Sequence, residues 1–385
     1  MQKKHLIYVS PHLYCYGETP RQIFNIRNLY NENEYKVTII TYPMHKRRLN
    51  KALYNIITRG INVIQTTDSD LIWFSANQQN NNIINENEHL YAIYSNVDSS
   101  RRLNEKFLHS EPEYHFSLSE IDIQMGDKIR KDFGIPDDAK IITIHIREQG
   151  WFGKTDIGTK ATLKNYIPAI NYLIEKGFYI VRLGDTSMTE LNTNSSKIID
   201  APFHPSYRDI VDPYFLSKST FFIGTASGPS AVSNCFGIPT LYTNYYLSNG
   251  FNVLSNNDLY IFQKHYSKQL KRYLTYEEIL LSPNQHFTNS ESCENADLKF
   301  IENTEEEILK AVQEMYLRLK NSYQKDDESR KIIKHIQKIE LKARTVFPDL
   351  AYLPMYNLMN FGKNYLSLEF LKLNPEFVGH ILPES

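Results

Sequence analysis

Cysteine is scarce here: 3 in 385 residues, at Cys15, Cys235 and Cys293. None sits in a CxxC pair or at metal-ligand spacing, which tells against a disulfide framework and against a zinc site. Neither sign of charge is in excess. The 43 Lys and Arg meet 44 Asp and Glu, for a formal charge of −1, so there is no broad field for holding nucleic acid or an anionic surface. No apolar run approaches the roughly 20 residues of a membrane helix. The opening MQKKHLIYVS is too short in apolar residues for a secretory leader. A reducing cytoplasm is the expected location. Familiar signatures are missing as well: no GxxxxGK[ST], no GxGxxG after a strand, no GxSxG elbow. Their absence tells against an ordinary P-loop kinase, a dinucleotide fingerprint and an α/β-hydrolase.

What is present is alternation. Apolar residues make up 41% and charged residues 23%, ordinary for a folded soluble chain, and the length suggests two domains. In the first part KHLIYVS, YKVTIITYP and INVIQTT read as strands. Between them, RQIFNIRNLYNE and KALYNIITRG carry helical spacing, and LIWFSA and HLYAIYS are two more strand candidates. Residues 112–140 look less regular, with DFGIPDDAK as a connector. The second part alternates more clearly. KIITIHIR, FYIVRLGD, KIID, TFFIGT and IPTLYTN are strands, and TLKNYIPAINYLIEKG, YRDIVDPYFLSKS and GPSAVSNCFG are helices. Residues 250–298 look irregular. A strong amphipathic helix follows Thr304, and the charged run 325–345 continues helical at the surface. Strand–helix alternation implies parallel sheets with crossover helices. The expected architecture is α/β: two Rossmann-like domains facing a cleft, spanning 1–135 and 136–345, with helices in 346–385 packing back toward the first.

Ligands in open α/β sheets bind beyond the carboxyl ends of strands. HIRE, RLGDTSM and GTASGPSAV all fall at such ends. Gly224, Thr225, Ala226, Ser227 and Gly228 are small enough for backbone N–H groups to approach an anion at a helix start, and Ser227 and Ser230 add hydroxyls. A tight strand–helix turn would use the same small residues. His145 and Arg147, two apart, share one face of an extended strand. There Arg147 could grip a phosphate oxygen, or serve as a structural ion-pair partner. Asp68-Ser69-Asp70 spells a DxD triplet, the metal-binding signature of one class of sugar transferases, but it also suits a turn between two short strands.

The ordered segments IHIREQGWFG, LKNYIPAINYLIEKGFYIVRLGDTSM, FFIGTASGPSAVSNCFGIPTLYTN and FIENTEEEILKAVQEM resemble a family of bacterial glycosyltransferases found with polysaccharide-biosynthesis genes. The resemblance covers roughly residues 110–320 and extends to the closing LSLEFLKLNPEFVG. More distantly, the strand-end HxR is similar to that of GT-B fucosyltransferases, and FFIGTASGPSAVSNCFGIPTL looks like the donor half of heptosyltransferase-type enzymes. The resemblance implies GT-B architecture, a nucleotide-sugar donor (GDP or UDP) on the C-terminal domain, no metal and no further cofactor. It implies a glycan, lipid-linked or protein acceptor, and work in the cytoplasm or at the inner face of its membrane. By the same match Arg147 grips phosphate with His145 as its partner. Arg182, Gly184 and Asp185 form a loop beside the nucleotide, and Thr225, Ser227, Gly228 and Ser230 meet the phosphates. The N-terminal part matches nothing nameable. Glu18, Glu148 and Asp156 are the candidate bases, with Glu18 placed first. Two other classes suit the pattern: a non-catalytic nucleotide-sugar binder and a GT-B-like sugar-nucleotide epimerase.

Overall fold

The computed structural model describes residues 3–9, 16–41, 50–71, 82–86, 89–93, 99, 102–103, 106–107, 110–148, 161–191, 193, 195–245, 257–282, 297–346 and 365–381. The chain opens with β1 (Lys4–Val9), α1 (Glu18–Leu29), β2 (Tyr35–Thr41), α2 (Lys51–Ile57) and β3 (Asn62–Gln65). Then come β4 (Asn82–Glu86) and β5 (His89–Ile93). These strands form one sheet in the order β3-β2-β1-β5-β4. All neighbours are parallel except β4, which runs antiparallel to β5. Alternating apolar residues drive it: Leu6 and Tyr8 of β1 and Val37 and Ile39 of β2 are buried with Ile23, Phe24 and Ile26 of α1. Four of the expected strands and both expected helices are in place. LIWFSA lies almost wholly outside the described residues.

The second sheet contains β6 (Ile141–His145), β7 (Tyr179–Arg182), β8 (Ile198–Asp200), β9 (Ser219–Gly224), β10 (Thr240–Tyr245) and β11 (Leu259–Phe262). Its order is β11-β10-β9-β6-β7-β8 and all pairs are parallel. Read from the other edge, that is the Rossmann order 3-2-1-4-5-6, whose switch point lies between the first and fourth strands. Here those are β6 and β9. The helices around it are α3 (Glu120–Asp132), α4 (Ile167–Glu175), α5 (Val211–Lys218) and α6 (Gly228–Cys235), then α7 (Tyr276–Leu281), α8 (Glu305–Leu319), α9 (Asp327–Val346) and α10 (Leu368–Leu373). A small antiparallel sheet, β13-β12-β14, flanks them (β12 Lys264–Ser267, β13 Arg272–Tyr273, β14 Leu298–Ile301).

The structure corrects three sequence expectations. Residues 112–140 contain α3, a 13-residue helix begun by a reciprocal cap in which Ser119 Oγ accepts from Asp122 N–H and Asp122 Oδ2 accepts from Ser119 N–H. This helix packs on α5 of the second unit, while its Asp122 pairs with Arg59 of the first. IPTLYTN is not the last strand of its sheet, because β11 follows. Four-residue strands inside a polar stretch leave too little periodicity to see. The described C-terminal residues 365–381 pack on the second unit, where packing toward the first was expected: Ser367 Oγ donates to Glu314 of α8, Lys264 Nζ donates to Asn374, and Leu366 bridges Tyr260 of β11. The run 325–345 is helical as expected, but it also buries a stripe of Ile332, Ile336, Ile339 and Ala343 in the core.

Gly126 of α3 faces Tyr214 of α5. A Cβ at this position would lie 1.8 Å from Tyr214 Cδ2, and the ring is fully buried with its hydroxyl donating to Asp127 at 2.6 Å. Gly126→Ala gains helix propensity of about 1 kcal/mol but overpacks this contact. We expect a net loss of ~1–2 kcal/mol in denaturant unfolding. A variant as stable as wild type would mean that α3 and α5 have slack.

Candidate functional site

β6 ends at His145, which is paired in register with Gly224, the last residue of β9. Both stand at the switch point of the sheet. A side chain at 224 is excluded, since its Cβ would fall 2.4 Å from His145 O. Beyond these ends the backbone is cross-tied: Thr225 N–H donates to His145 O (3.3 Å), and Arg147 N–H donates to Thr225 Oγ1 (3.2 Å). Arg147 therefore sits two residues past the strand, beside the turn that starts α6. Ile146 between them is fully buried, while His145 and Arg147 are partly exposed.

His145 Nδ1 lies 3.0 Å from Ser227 Oγ. Burial, reinforced by the charges of Arg182 and Arg147, pushes the imidazole down to about 4. His145 is thus neutral near pH 7 and contributes a hydrogen bond, not a charge. Ser230 is committed to the turn itself: its Oγ accepts from Ser227 N–H at 3.1 Å and donates to Ser227 O at 2.7 Å. Thr225 is fully buried and serves the backbone of Arg147. Gly184, after β7, lies beside the His145 ring, where an added Cβ would be 3.5 Å from Cδ2. Exposed Asp185 accepts from Ser187 N–H (2.8 Å) in a local turn.

Arg182 does not occupy the place expected for it. Its side chain is fully enclosed and ion-paired to Glu148 (2.6 Å) and Asp200 (3.0 Å), with Thr189 O accepting a further N–H at 2.7 Å. A guanidinium enclosed between two carboxylates is turned away from any ligand, so Arg182 is an internal tie and not part of a nucleotide loop. Glu148 is spent in the same tie and also accepts from Thr189 N–H, which removes it as a base. Asp156 lies outside the described residues.

Glu18 comes from the other unit. It opens α1, directly after Gly17, and Gly17 is seated on the start of α6: a Cβ there would meet Gly228 Cα at 2.8 Å. Farther along, Phe24 in the middle of α1 reaches Phe236 at the end of α6 through Phe116. Two helix starts thus stand together at the switch point, each with backbone N–H groups unspent by its own helix. Glu18 is partly exposed.

Sequence reasoning missed Tyr16, Tyr207 and Asp212. Tyr16 Oη donates to Asp212 Oδ2 at 2.9 Å, and Tyr207 Oη to Asp212 Oδ1 at 3.3 Å. The only signal was indirect, an Asp in the first turn of a helix in the sequence RDIVDPYF. Asp68 is used locally, its Oδ1 accepting from the N–H groups of Asp70 and Leu71 at 3.0 Å each. Among the described residues no group of three His, Cys, Asp or Glu could hold a metal ion, and no helix is long and apolar enough to cross a membrane.

No family model matches the chain, and no curated protein matches it. Among solved structures, the glycosyl transferase family 9 protein of Veillonella parvula DSM 2008 is similar at 10% identity, over 62% of this chain and 80% of that one, with a TM-score of 0.37. The ADP-heptose LPS heptosyltransferase II of E. coli is similar at 11% identity, over 63% and 84%, with a TM-score of 0.36. The E. coli heptosyltransferase WaaC with ADP is similar at 10%, over 62% and 86%, with a TM-score of 0.34. With scores below 0.5, these likenesses carry no argument about what this chain binds.

Burial pushes the Asp212 carboxyl up to about 7, against the pull of its two phenol donors and with Asp209 and Asp185 adding to the rise. A raised carboxyl means that the folded state holds a proton the unfolded chain gives up. Stability from this group is present below its ordinary value of 3.8 and is lost as pH rises through about 7. The melting temperature of Asp212→Asn should therefore gain on wild type between pH 5 and pH 8 in calorimetry. A constant gap across that range would contradict the assignment.

Proposed function

We propose that this protein is a metal-independent glycosyltransferase of GT-B architecture, moving a sugar from a nucleoside-diphosphate donor to a hydroxyl acceptor. One observation carries the reading: at the switch point of the second sheet, the His145–Gly224 strand ends, Arg147 and the start of α6 meet the Gly17–Glu18 turn of the first unit. Anion-binding groups on one unit, seated against a turn of the other that carries a carboxylate, suit transfer of a group away from a diphosphate.

In this reading the acceptor hydroxyl oxygen attacks the anomeric carbon, its proton passing to Glu18. The bond from that carbon to the diphosphate oxygen breaks, and the electron pair leaves with the nucleoside diphosphate. Negative charge grows on the phosphate, so donors already aimed there stabilise the transition state more than the bound substrate. Arg147 supplies charge, and the Gly228 N–H with the positive end of α6 supplies a dipole, since Ser227 and Ser230 spend their N–H groups in the cap and Pro229 has none. Neutral His145 orients Ser227 against the phosphate. Thr225 and Ser230 hold the backbone that presents these groups. UDP or GDP sugars are the donor classes to try first. The acceptor is a glycan, lipid or protein hydroxyl, and the place of action is the cytoplasm or the inner face of its membrane, in surface-glycan assembly.

Arg147→Ala should lower transfer on the order of 10²–10³-fold, the range for losing one preorganised donor. Arg147→Lys should restore only part, because an ammonium lacks the planar fork. Far-UV circular dichroism and melting, measured beside the kinetics, should stay near wild type. A folded Arg147→Ala enzyme transferring at full rate would falsify the assignment. Transfer should also proceed unchanged in EDTA, whereas a strict need for Mg²⁺ or Mn²⁺ would move charge stabilisation away from Arg147.

A further inference from the structure

Asp212 is a buried carboxylate that this mechanism leaves idle. It stands in the first turn of α5, is 5% exposed, and both its oxygens accept from phenols. Among the described residues, the charged groups that act most on it are Asp209 before α5 and Asp185 after β7, themselves carboxylates. A carboxylate taken from water without a cation costs stability, so packing alone gives no reason for it.

The two phenols differ in what they bring. Tyr207 is five residues away in the same segment. Tyr16 is 196 residues away, in the first unit, and immediately precedes Gly17 and Glu18. Its ring also lies against the start of α6: a Cβ on Gly228 would be 2.7 Å from Tyr16 Cδ1 and 3.3 Å from Tyr16 Cβ. A single side-chain bond to α5 therefore fixes the turn that carries Glu18, while the backbone of that turn rests on Gly228.

We propose that the Tyr16–Asp212 hydrogen bond is a positioning device that seats the Gly17–Glu18 turn of the first unit on the phosphate-binding turn of the second. The proposal rests on the reading of the site given above, with Glu18 as base. Tyr16 touches no reacting atom in it, and acts through Glu18. Without the bond the turn can drift, and misplacing a catalytic group by about 1 Å costs on the order of 10²-fold in rate.

Tyr16→Phe and Tyr207→Phe delete the same chemical group from the same carboxylate, but only the first frees the turn. For Tyr16→Phe the expected result is a kcat lower by roughly 10- to 100-fold. Its Kd for the nucleoside diphosphate, by calorimetry, should stay within about twofold of wild type, the signature of an interaction made outside ground-state binding. Tyr207→Phe should keep kcat near wild type. Asp212→Asn, whose amide oxygen still accepts from Tyr16, should retain more activity than Asp212→Ala. Without any substrate, hydrogen–deuterium exchange over residues 16–20 should quicken in Tyr16→Phe and not in Tyr207→Phe. Equal losses in the two phenol variants, or unchanged exchange at 16–20, overturn the proposal. Donor affinity falling in step with kcat also overturns it, by making Tyr16 part of the donor site. If wild-type protein transfers sugar from no donor, the glycosyltransferase reading fails and the exchange result still decides whether this bond seats the turn.

Discussion

Arg182 closes β7 with its guanidinium shut off from water, and the two carboxylates that neutralise it come from different places: Glu148 from the segment after β6, Asp200 from the end of β8. The carboxylates in turn accept backbone N–H groups of Thr189 and Leu191. The carboxyl ends of three parallel strands and the loop between two of them are thereby tied to one charge. Such a triad gains little over an apolar core, since desolvation cancels most of the attraction. Removing one member, however, strands a buried charge at a cost of roughly 3–5 kcal/mol. Geometry is therefore what it secures. The same charge helps keep His145 neutral.

The two units are joined by packing as well as by polar contacts. Phe24 of α1, Phe116 before α3, and Val232, Cys235 and Phe236 at α6 belong to one buried apolar cluster that runs from the first sheet into the second. The thiol of Cys235 is pushed up to about 12 by this burial, so it is an inert core residue and not a nucleophile. Two glycines meeting at the head of that seam allow the backbones closer than any side chain would permit. The distance from Glu18 to the α6 turn is thus set by main chain, whereas its orientation is set by the neighbouring phenol.

Much of this was readable in the sequence because period and punctuation agree there. The runs IITIH, YIVR and STFFIG are apolar strands that end in polar or glycine-rich turns, so the switch-point residues His145, Gly224, Ser227 and Gly228 could be placed at strand ends before any fold was known. α3 was missed although SLSEID spells its cap, because the exposed Ile121 and Met125 blur the helical stripe. Arg182 was misread for a deeper reason: an arginine one residue before Leu-Gly-Asp looks the same whether it faces a ligand or two carboxylates. Only three-dimensional neighbours distinguish them, as they do for Tyr16 and Asp212, which lie 196 residues apart.

The segment that pairs with Tyr260 bears on a different property. β11 is the outer strand of the second sheet, apolar and fully buried along Leu259–Phe262. Tyr260 N–H donates to Tyr365 O, and Ser367 N–H donates to Tyr260 O. An unpaired edge of that composition is a template for another chain. By pairing it within the same molecule, residues 365–367 insulate the sheet against strand-by-strand polymerisation, while the opposite edge is only the three residues of β8, too short to recruit a partner. Protection of this edge thus rests on a few backbone hydrogen bonds at a position remote from the switch point.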